Sequence, residues 1–403
     1  MIRSRRQEGF ITRILVLSVC QAVLGAEWPN WRGPNHDGIN PEKGFQTTWT
    51  DPPKVVWEFP VGAGFSSFTC VGGKAYTCGT KDKQQTAFCL DANTGKLIWA
   101  TPIEPQFRER SGGDGPRATP TVDDGRVYVF GALGRMLCLD AEKGKEVWSR
   151  RFNNRPLYGY SGSVLILGDL AVVSPGSNDG ALLALDKKTG HDVWKCGKDA
   201  AGYATPYPFT LNGRQCVVNF MARFVVAADV ETGQEVLRIP WDTWSGINVA
   251  APIFHDGYLF ISSGYDTGAA LFKLSPQDDH ITASLIWRNK VFRNKFQSCV
   301  LVDGVLYGGD EVGFKCAEFM TGKPCWSIRD MENASVLWAD GHLIVLAEDG
   351  RLMTAKATSK EFRPIAEMQV LHGRCWTIPT LSNGKLYLRD FEKAVCVDLS
   401  PSS

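Results

Sequence analysis

Apolar residues in this chain occur in short alternating runs separated by polar turns that contain glycine. The clearest example spans residues 89–99, where an apolar run ends at Asp91, a turn closes at Gly95 and a second run ends at Trp99. An Asp side chain caps such a turn by accepting hydrogen bonds from backbone N–H groups, and Gly adopts the positive φ that reverses the chain. This eleven-residue phrase therefore predicts a β-hairpin that ends in a tryptophan anchor.

The phrase recurs along the chain, and further copies span residues 138–148, 184–194, 227–237 and 316–326. Between the copies at 227–237 and 316–326, the fifth unit along the chain is looser, with Leu274 at the Asp position and Trp287 as anchor. The seventh is the weakest, with Ala355 for Asp and Pro364-Ile365 for Trp. Between successive copies lies a second kind of hairpin, whose turns include Asn-Gly and Asp-Gly pairs, the strongest short-range hairpin signals.

One hairpin of each kind gives a four-stranded unit, and eight such units follow one another. Four-stranded units that repeat in this way are typical of β-propeller blades. Residues 55–60 look like the second half of a unit, and residues 394–399 supply the missing first half. We therefore predict an all-β, eight-bladed β-propeller over residues 55–403, with antiparallel blades and a ring closed by the N- and C-terminal strands. The anchors expected to dock between blades are Trp57, Trp99, Trp148, Trp194, Trp287 and Trp326.

The N-terminus predicts export. Four arginines precede an apolar run over residues 14–20, which is too short to span a bilayer. We predict a signal peptide over residues 1–26, a periplasmic or secreted protein without a transmembrane span, and an ordered lead-in over residues 27–54. Cys20 also fits a lipoprotein cleavage box, although Val19 stands where that pattern has Gly or Ala, so a lipid anchor at Cys20 stays open as the less favoured alternative.

Composition reduces the number of functions that the chain could have. The chain has 44 basic and 43 acidic side chains and a net charge of +1, which argues against a nucleic-acid partner. Cys89, Cys138, Cys316 and Cys396 share one repeat position with Ala184 and Ala227, which favours small buried fillers, although Cys316 and Cys325 could form a disulfide. The scattered histidines and the absence of a CxxC motif predict no metal site.

Residues just ahead of each innermost strand should line one mouth of the central channel. The candidates for a binding site there are Arg117, Tyr160, Tyr203, Asn248, Glu332 and Trp376. Aromatic rings with one Arg could stack on a flat ligand or hold a side chain of a protein partner, or they could only plug the channel. The basic loops at residues 106–115 and 151–155 should lie on the same face.

The repeated phrase resembles the tryptophan-docking motif of the pyrroloquinoline-quinone (PQQ) repeat family. Ala184, Asp186, Thr189, Gly190 and Trp194 match its key positions, and the resemblance covers residues 57–398. It implies one of two functions. One branch of the family consists of periplasmic dehydrogenases that hold PQQ and calcium and oxidise alcohols or sugars. The other consists of non-catalytic propellers, such as BamB of the outer-membrane assembly machinery, that bind protein partners.

A PQQ dehydrogenase needs oxygen ligands for calcium and a carboxylate base. Asp242, Asn248 and Glu332 are the candidates near the mouth, and they do not form a recognisable ligand set of the family. We therefore predict a monomeric, non-catalytic binding or scaffold protein with no catalytic residues, no metal and no cofactor, which binds a protein partner or small ligand at the mouth. The alternative is a PQQ-dependent periplasmic dehydrogenase.

Overall fold

Tight turns connect 33 short strands in the computed structural model, which describes residues 26–401. Nearly all of the predicted signal peptide, including Cys20, lies outside these residues. Two single-turn 3₁₀ helices, Ser177–Asp179 and Trp244–Gly246, are the helical elements of the described part. None of its helices is long and apolar enough to span a membrane.

The strands form eight antiparallel sheets arranged as the blades of a β-propeller, as predicted. Two strands precede the first complete blade: Ile39–Asn40 (β1) and Val55–Phe59 (β2). Blade 1 contains Thr69–Val71 (β3), Lys74–Lys81 (β4), Gln84–Asp91 (β5) and Leu97–Pro105 (β6). Blade 2 contains Thr121–Asp123 (β7), Arg126–Phe130 (β8), Arg135–Asp140 (β9) and Glu146–Arg151 (β10). Blade 3 contains Leu165–Leu167 (β11), Leu170–Val173 (β12), Leu182–Asp186 (β13) and Asp192–Cys196 (β14). Blade 4 contains Tyr207–Leu211 (β15), Arg214–Phe220 (β16), Phe224–Asp229 (β17) and Glu235–Pro240 (β18).

The second half of the ring follows the same order. Blade 5 contains Ile253–His255 (β19), Tyr258–Ser263 (β20), Gly268–Gln277 (β21) and His280–Asn289 (β22). Blade 6 contains Val300–Val302 (β23), Val305–Asp310 (β24), Gly313–Glu318 (β25) and Pro324–Ile328 (β26). Blade 7 contains Ser335–Ala339 (β27), His342–Leu346 (β28), Arg351–Lys356 (β29) and Pro364–Gln369 (β30). Blade 8 contains Thr380–Ser382 (β31), Lys385–Arg389 (β32) and Ala394–Asp398 (β33).

The ring closes as the two half-units predicted. Strand β2 pairs antiparallel with β33 and becomes the outermost strand of blade 8, with Trp57 opposite Cys396. The fully buried Arg389 ties this blade to blade 1, because its guanidinium donates to the carbonyls of Cys78 and Gly62 at 2.7 and 2.9 Å. The two chain ends are thereby held in one closed structure.

The lead-in contributes a strand that the repeat pattern does not predict. Strand β1 pairs in parallel with β27, so the sheet of blade 7 has five strands. Two residues are too few to show an alternating pattern. The lead-in also buries Trp28 completely, and its backbone exchanges hydrogen bonds with Cys70 on an innermost strand.

Two repeat positions assigned from the sequence differ from the observed register. In the regular copies the small residue pairs with Trp, as in Ala184 opposite Trp194. In blade 5, Leu271 pairs with Trp287, so the position equivalent to Asp is Lys273 and not Leu274. In blade 7, Thr354 pairs with Ala366, so Lys356 and Ala366 replace the assigned Ala355 and Pro364-Ile365. Both turns depart from the eleven-residue spacing, and counting from the turn therefore shifts the register.

Each anchor tryptophan donates to a backbone carbonyl of the next blade. The acceptor is the residue directly after the Asp position in five cases, and Thr358, two residues after Lys356, in blade 7. The indole N–H groups of Trp57, Trp99 and Trp148 donate to the carbonyls of Ala92, Ala141 and Lys187 at 3.0, 3.0 and 3.1 Å. Those of Trp194, Trp287 and Trp326 donate to the carbonyls of Val230, Phe319 and Thr358 at 2.9 Å each.

The turn glycine of the phrase lies against the anchor ring of the preceding blade. Gly190 has φ of 74°, and a Cβ at this residue would lie 2.7 Å from Cε3 of Trp148. Asp186 fixes the same turn, because its carboxylate accepts the backbone N–H and the hydroxyl of Thr189, each at 2.8 Å. These hydrogen bonds, the one from the Thr189 hydroxyl above all, lower the pKa of Asp186. Glycine is thus needed here both for its φ and for the space under the ring.

The repeated cysteines are buried fillers. Cys89, Cys138, Cys316 and Cys396 have no exposed surface, and the eleven cysteines of residues 26–401 are all free thiols, including Cys316 and Cys325. Burial raises the pKa of Cys89 to about 12 and that of Cys138 to about 11.

Candidate functional site

The end of the channel at which the innermost strands begin opens into a cavity of about 420 Å³, which we call the mouth cup. It is lined by residues at a constant position, four ahead of an innermost strand. This position is occupied in blade order by Phe65, Arg117, Ser161, Tyr203, Val249, Phe296 and, in blade 8, Trp376. The volume lies within the range typical of small-molecule sites, roughly 300–1,000 Å³.

The lead-in contributes Trp31 and Arg32 to the lining of the cup. Arg32 is almost completely buried and is fixed by backbone carbonyls: its Nη2 donates to Cys299 at 2.6 Å and to Asp37 at 2.7 Å. Burial lowers the pKa of the Arg32 guanidinium. The lead-in therefore packs onto the innermost strands and places a fixed positive charge at the cup.

Aromatic side chains form two groups around the mouth. In the first, the ring centroid of Trp376 lies 5.2 Å from that of Phe65 and 4.2 Å from that of Phe296, so the three rings form one stack, which we call the aromatic platform. The second group consists of two pairs, Tyr158 with Tyr203 at 6.0 Å and Trp244 with Tyr265 at 5.4 Å. The Trp244 side chain is 61% exposed. These rings give the cup a largely apolar wall.

Two cations of the cup lining stand beside these rings, while Arg374, outside the lining, lies over Trp376 at 4.5 Å from the ring centroid. The guanidinium of Arg117 lies over Phe107 and Phe65, at 4.6 and 5.6 Å from the ring centroids, and burial lowers its pKa to about 10. Lys295 Nζ lies between Tyr265 and Phe296, at 5.3 and 5.2 Å. Within residues 26–401 neither side chain forms a salt bridge.

Glu109 supplies the carboxylate of the cup lining. Its two oxygens accept the backbone N–H groups of Ser111, at 2.7 Å, and Gly112. Burial alone would raise the pKa of Glu109, but these hydrogen bonds lower it overall. The carboxylate is ionised and already bound to its own loop.

Deeper in the cup, Ser and Thr hydroxyls link neighbouring blades. The residue two ahead of an innermost strand accepts a backbone N–H from the preceding blade through its side-chain oxygen. Thr119 accepts from Ser67 at 3.0 Å, Ser163 from Thr119 at 3.0 Å, and Thr205 from Ser163 at 2.9 Å. Ser298 accepts from Ala251 at 2.9 Å. We call Thr119, Ser163, Thr205 and Ser298 the hydroxyl belt.

Three of the six sequence-predicted binding residues line the cup, namely Arg117, Tyr203 and Trp376. The structure places Tyr160, Asn248 and Glu332 outside it. Tyr160 donates its O–H to the Pro175 carbonyl at 3.1 Å, Asn248 is fully buried and donates to the Met221 carbonyl at 2.8 Å, and Glu332 is exposed beside a separate depression.

These three side chains lie outside the cup because successive side chains of an extended chain point to opposite sides. Tyr160 and Asn248 are five residues ahead of their innermost strands and Glu332 is three ahead, whereas the lining positions are two and four ahead. The same rule would have identified Phe65, Ser161 and Val249. It would not have identified the lining residues that lie in the lead-in or in other loops, namely Trp31, Arg32, Tyr158, Trp244 and Tyr265. It also fails for Lys295 and Gln297, which line the cup although they are five and three residues ahead of Val300.

The donor set of the cup does not fit a calcium-bound quinone. Calcium is bound by about six to eight oxygen ligands, among which carboxylates dominate. Glu109 is the acidic residue of the lining, and in the part of the chain that the structure describes no three His, Cys, Asp or Glu side chains converge on a metal position. Asp242, a sequence candidate, instead pairs with Arg223 at 2.7 Å on the surface.

Comparison with known proteins gives matches of two kinds. Residues 46–283 match the family model described as outer membrane protein assembly factor BamB. BamB of Burkholderia pseudomallei is 23% identical over 346 residues, which cover 73% of this chain and 86% of that protein. Quinohemoprotein alcohol dehydrogenase ADH-IIG of Pseudomonas putida is 30% identical over 135 residues, which cover 31% of this chain and only 18% of the dehydrogenase.

A solved structure supports the fold. BamB from Moraxella catarrhalis superposes with a TM-score of 0.62 at 15% identity, covering 86% of this chain and 99% of that one. At this identity the likeness concerns the fold alone.

Proposed function

This chain belongs to the PQQ-repeat family of BamB-like β-propellers, and on that premise we propose that it is a non-catalytic binding protein that acts outside the cytoplasm through its mouth cup and the surrounding loops. The observation that carries the proposal is the composition of the cup. Aromatic rings and the cations Arg117 and Lys295, which form no salt bridge within the described residues, favour binding, whereas Glu109, the carboxylate that those residues contribute to the lining, is held by its own loop.

The extent of the sequence similarity supports the same choice, while the fold is common to both branches: quinohemoprotein alcohol dehydrogenase from Comamonas testosteroni superposes with a TM-score of 0.67 and is covered over 81% of its chain. The BamB relative aligns over most of its length, whereas the dehydrogenase relative aligns over less than a fifth of its own. The BamB relative is named for a role in outer-membrane protein assembly, and a binding role is the one we propose for this chain.

Catalysis by a PQQ dehydrogenase is the alternative, and the residues of the cup argue against it. A carboxylate base must be free to take a proton from the substrate. Glu109 accepts two backbone N–H groups, and no second carboxylate of the described residues lines the cup. The cup therefore offers neither the ligands nor the base of that reaction.

Titration calorimetry with PQQ, with and without calcium, tests this function. We expect no calcium-dependent binding, and no dye-linked oxidation of alcohols or sugars by the purified full-length chain after reconstitution. A quinoprotein dehydrogenase assayed in parallel serves as the positive control. Calcium-dependent PQQ binding with turnover would overturn the proposal and make the protein an enzyme.

Export is part of the proposal and has its own test. Expression of the full-length chain in a Gram-negative host, followed by cell fractionation and mass spectrometry of the mature N-terminus, should give a periplasmic or secreted protein that begins near Glu27. A mature protein that begins at an acylated Cys20 would identify the lipid-anchored form instead. An uncleaved protein in the cytoplasm would contradict export.

A further inference from the structure

We propose that the mouth cup binds the ring of an acidic sugar, such as a uronic acid at the end of an oligosaccharide. The inference deepens the proposed binding function and rests on it. It is carried by three sets of groups that converge in the cup: polar donors without a protein acceptor, cations without a carboxylate partner, and an aromatic platform.

The polar donors are buried. The hydroxyls of Thr119, Ser163, Thr205 and Ser298 each accept a backbone N–H, and among the described residues none of the four O–H groups has a hydrogen-bond acceptor. All four residues are at most 6% exposed. Gln297 is 4% exposed, and its Nε2 has no partner within residues 26–401, while its Oε1 accepts the Phe296 N–H at 3.2 Å. Buried donors of this kind normally have an acceptor.

A polyhydroxyl ring supplies such acceptors. Sugar hydroxyl and ring oxygens accept hydrogen bonds from several directions, and they suit a set of donors that comes from different blades. The hydroxyl belt and Gln297 come from blades 2, 3, 4 and 6 and meet in the cup. An apolar ligand would leave these donors unsatisfied at a considerable cost.

The aromatic platform fits the apolar face of the same ring. Aromatic faces carry partial negative charge and attract the partly positive C–H groups of a pyranose. The rings of Phe65 and Phe296 are stacked on Trp376, with centroid distances of 5.2 and 4.2 Å and interplanar angles of 25° and 32°, so no slot is left into which a flat ligand could insert between them. A ligand ring therefore packs against the outside of this stack.

The cations select an acidic sugar. Lys295 and Arg117 stand at the two ends of this stack and form no salt bridge within the described residues. Arg117 donates to the carbonyls of Gly115 and Gly113 at 2.6 and 2.8 Å, and Arg32 donates to those of Cys299 and Asp37. Lys295 is therefore the cation of the three whose ammonium has no acceptor among the described residues. Glu109 contributes a negative charge to the cup, but its carboxylate already accepts hydrogen bonds from two backbone N–H groups. A ligand carboxylate beside Lys295 would form the charge-assisted hydrogen bond that the protein itself does not provide.

Titration calorimetry with galacturonate and short oligogalacturonides tests the inference, with galactose as the neutral counterpart and benzoate as a flat aromatic carboxylate. We expect the acidic sugars to bind and galactose to bind about tenfold more weakly, as the loss of one charge-assisted hydrogen bond predicts. The fluorescence of Trp376 and Trp244 should change on binding, because both rings line the cup.

Single substitutions in the cup test what Lys295 and Gln297 each contribute to sugar binding. Lys295→Gln should weaken galacturonate binding about tenfold without changing galactose binding, whereas Gln297→Leu should weaken both sugars. Lys323→Gln is the matched control, since Lys323 is an exposed lysine in the turn of blade 6 at the opposite face. Unchanged thermal midpoints would show that the variants are folded.

The outcomes separate this inference from the proposed function. Binding of benzoate without binding of uronates would overturn the sugar assignment and leave the binding function in place. Absence of binding by every probe would also overturn the sugar assignment, while the full-length chain could still bind a protein. Calcium-dependent PQQ binding with turnover would overturn the proposed function itself.

Discussion

The contact between turn glycine and anchor tryptophan can be measured by adding a single methyl group in blade 3. Gly190 and Gly168 both have positive φ, at 74° and 59°. A Cβ at Gly190 would lie 2.7 and 2.8 Å from ring atoms of Trp148, whereas a Cβ at Gly168 would have no atom within 4 Å. The two positions therefore differ in the space available to a methyl group and share the same backbone strain.

The expected costs follow from these two terms. Left-handed backbone costs a residue with a Cβ about 1–2 kcal/mol, and this applies to Gly168→Ala and Gly190→Ala alike. Overpacking a tight contact costs about 1–3 kcal/mol more, and this applies to Gly190→Ala alone. Gly190→Ala should therefore lower the free energy of unfolding by about 2–5 kcal/mol, against about 1–2 kcal/mol for Gly168→Ala.

Urea unfolding followed by circular dichroism measures the difference, and a double-mutant cycle assigns it. In a Trp148→Ala background the ring is gone, so Gly190→Ala should cost no more than Gly168→Ala. Equal costs of the two glycine substitutions in the wild-type chain would refute the steric argument. So would an excess cost at Gly190 that persists without Trp148.

Two further predictions concern buried titratable groups. Burial lowers the pKa of His36 from 6.5 to about 4, so the unfolded chain takes up a proton below pH 6.5 that the folded chain refuses until about pH 4. The free energy of unfolding that depends on neutral His36 is therefore fully present above pH 6.5, and up to about 3 kcal/mol of it is lost as the pH falls towards 4. Thermal midpoints of the wild type should drop over this range, and those of His36→Gln should drop less. Burial raises the pKa of the Cys89 thiol to about 12, so at pH 8 this thiol should not react with a disulfide reagent in the folded protein and should react in urea. Peptide mapping of the labelled chain measures this difference. Rapid labelling of Cys89 in the native state would contradict its burial.

The fold was predictable because its information is local and repeated. Each copy of the phrase specifies its own turn through Asp and Gly, and the register follows wherever the spacing is regular, as at Ala184 and Trp194. Strand β1 was not predictable, since it pairs with β27 from almost 300 residues away in sequence and is only two residues long. The register errors in blades 5 and 7 arose where turn length departs from the repeat.

The site was predictable only in part, because its side chains depend on a one-residue difference in position. Arg117, Tyr203 and Trp376 are four residues ahead of their innermost strands and line the cup, whereas Tyr160 is five ahead and packs against Phe130 of blade 2 at 4.7 Å. Sequence shows that an aromatic lies near the mouth but not to which side it points until the start of the strand is known. Lys295 and Arg32 carry no repeat signal at all.

The hydroxyl belt also bears on whether the cup residues serve the fold or a ligand. Blade 5 has Ala251 at the belt position, where there is no hydroxyl to offer to blade 4, and the ring is closed all the same. Closure therefore does not require a hydroxyl in every blade, because the anchor tryptophans and the pairing of β2 with β33 already hold the blades together. In the other blades with a belt residue, the hydroxyls direct O–H groups that lack an acceptor among the described residues into the same space as Lys295, whose ammonium also lacks one there. Ring closure explains neither property. Both follow directly if the cup exists to bind a polar, negatively charged molecule.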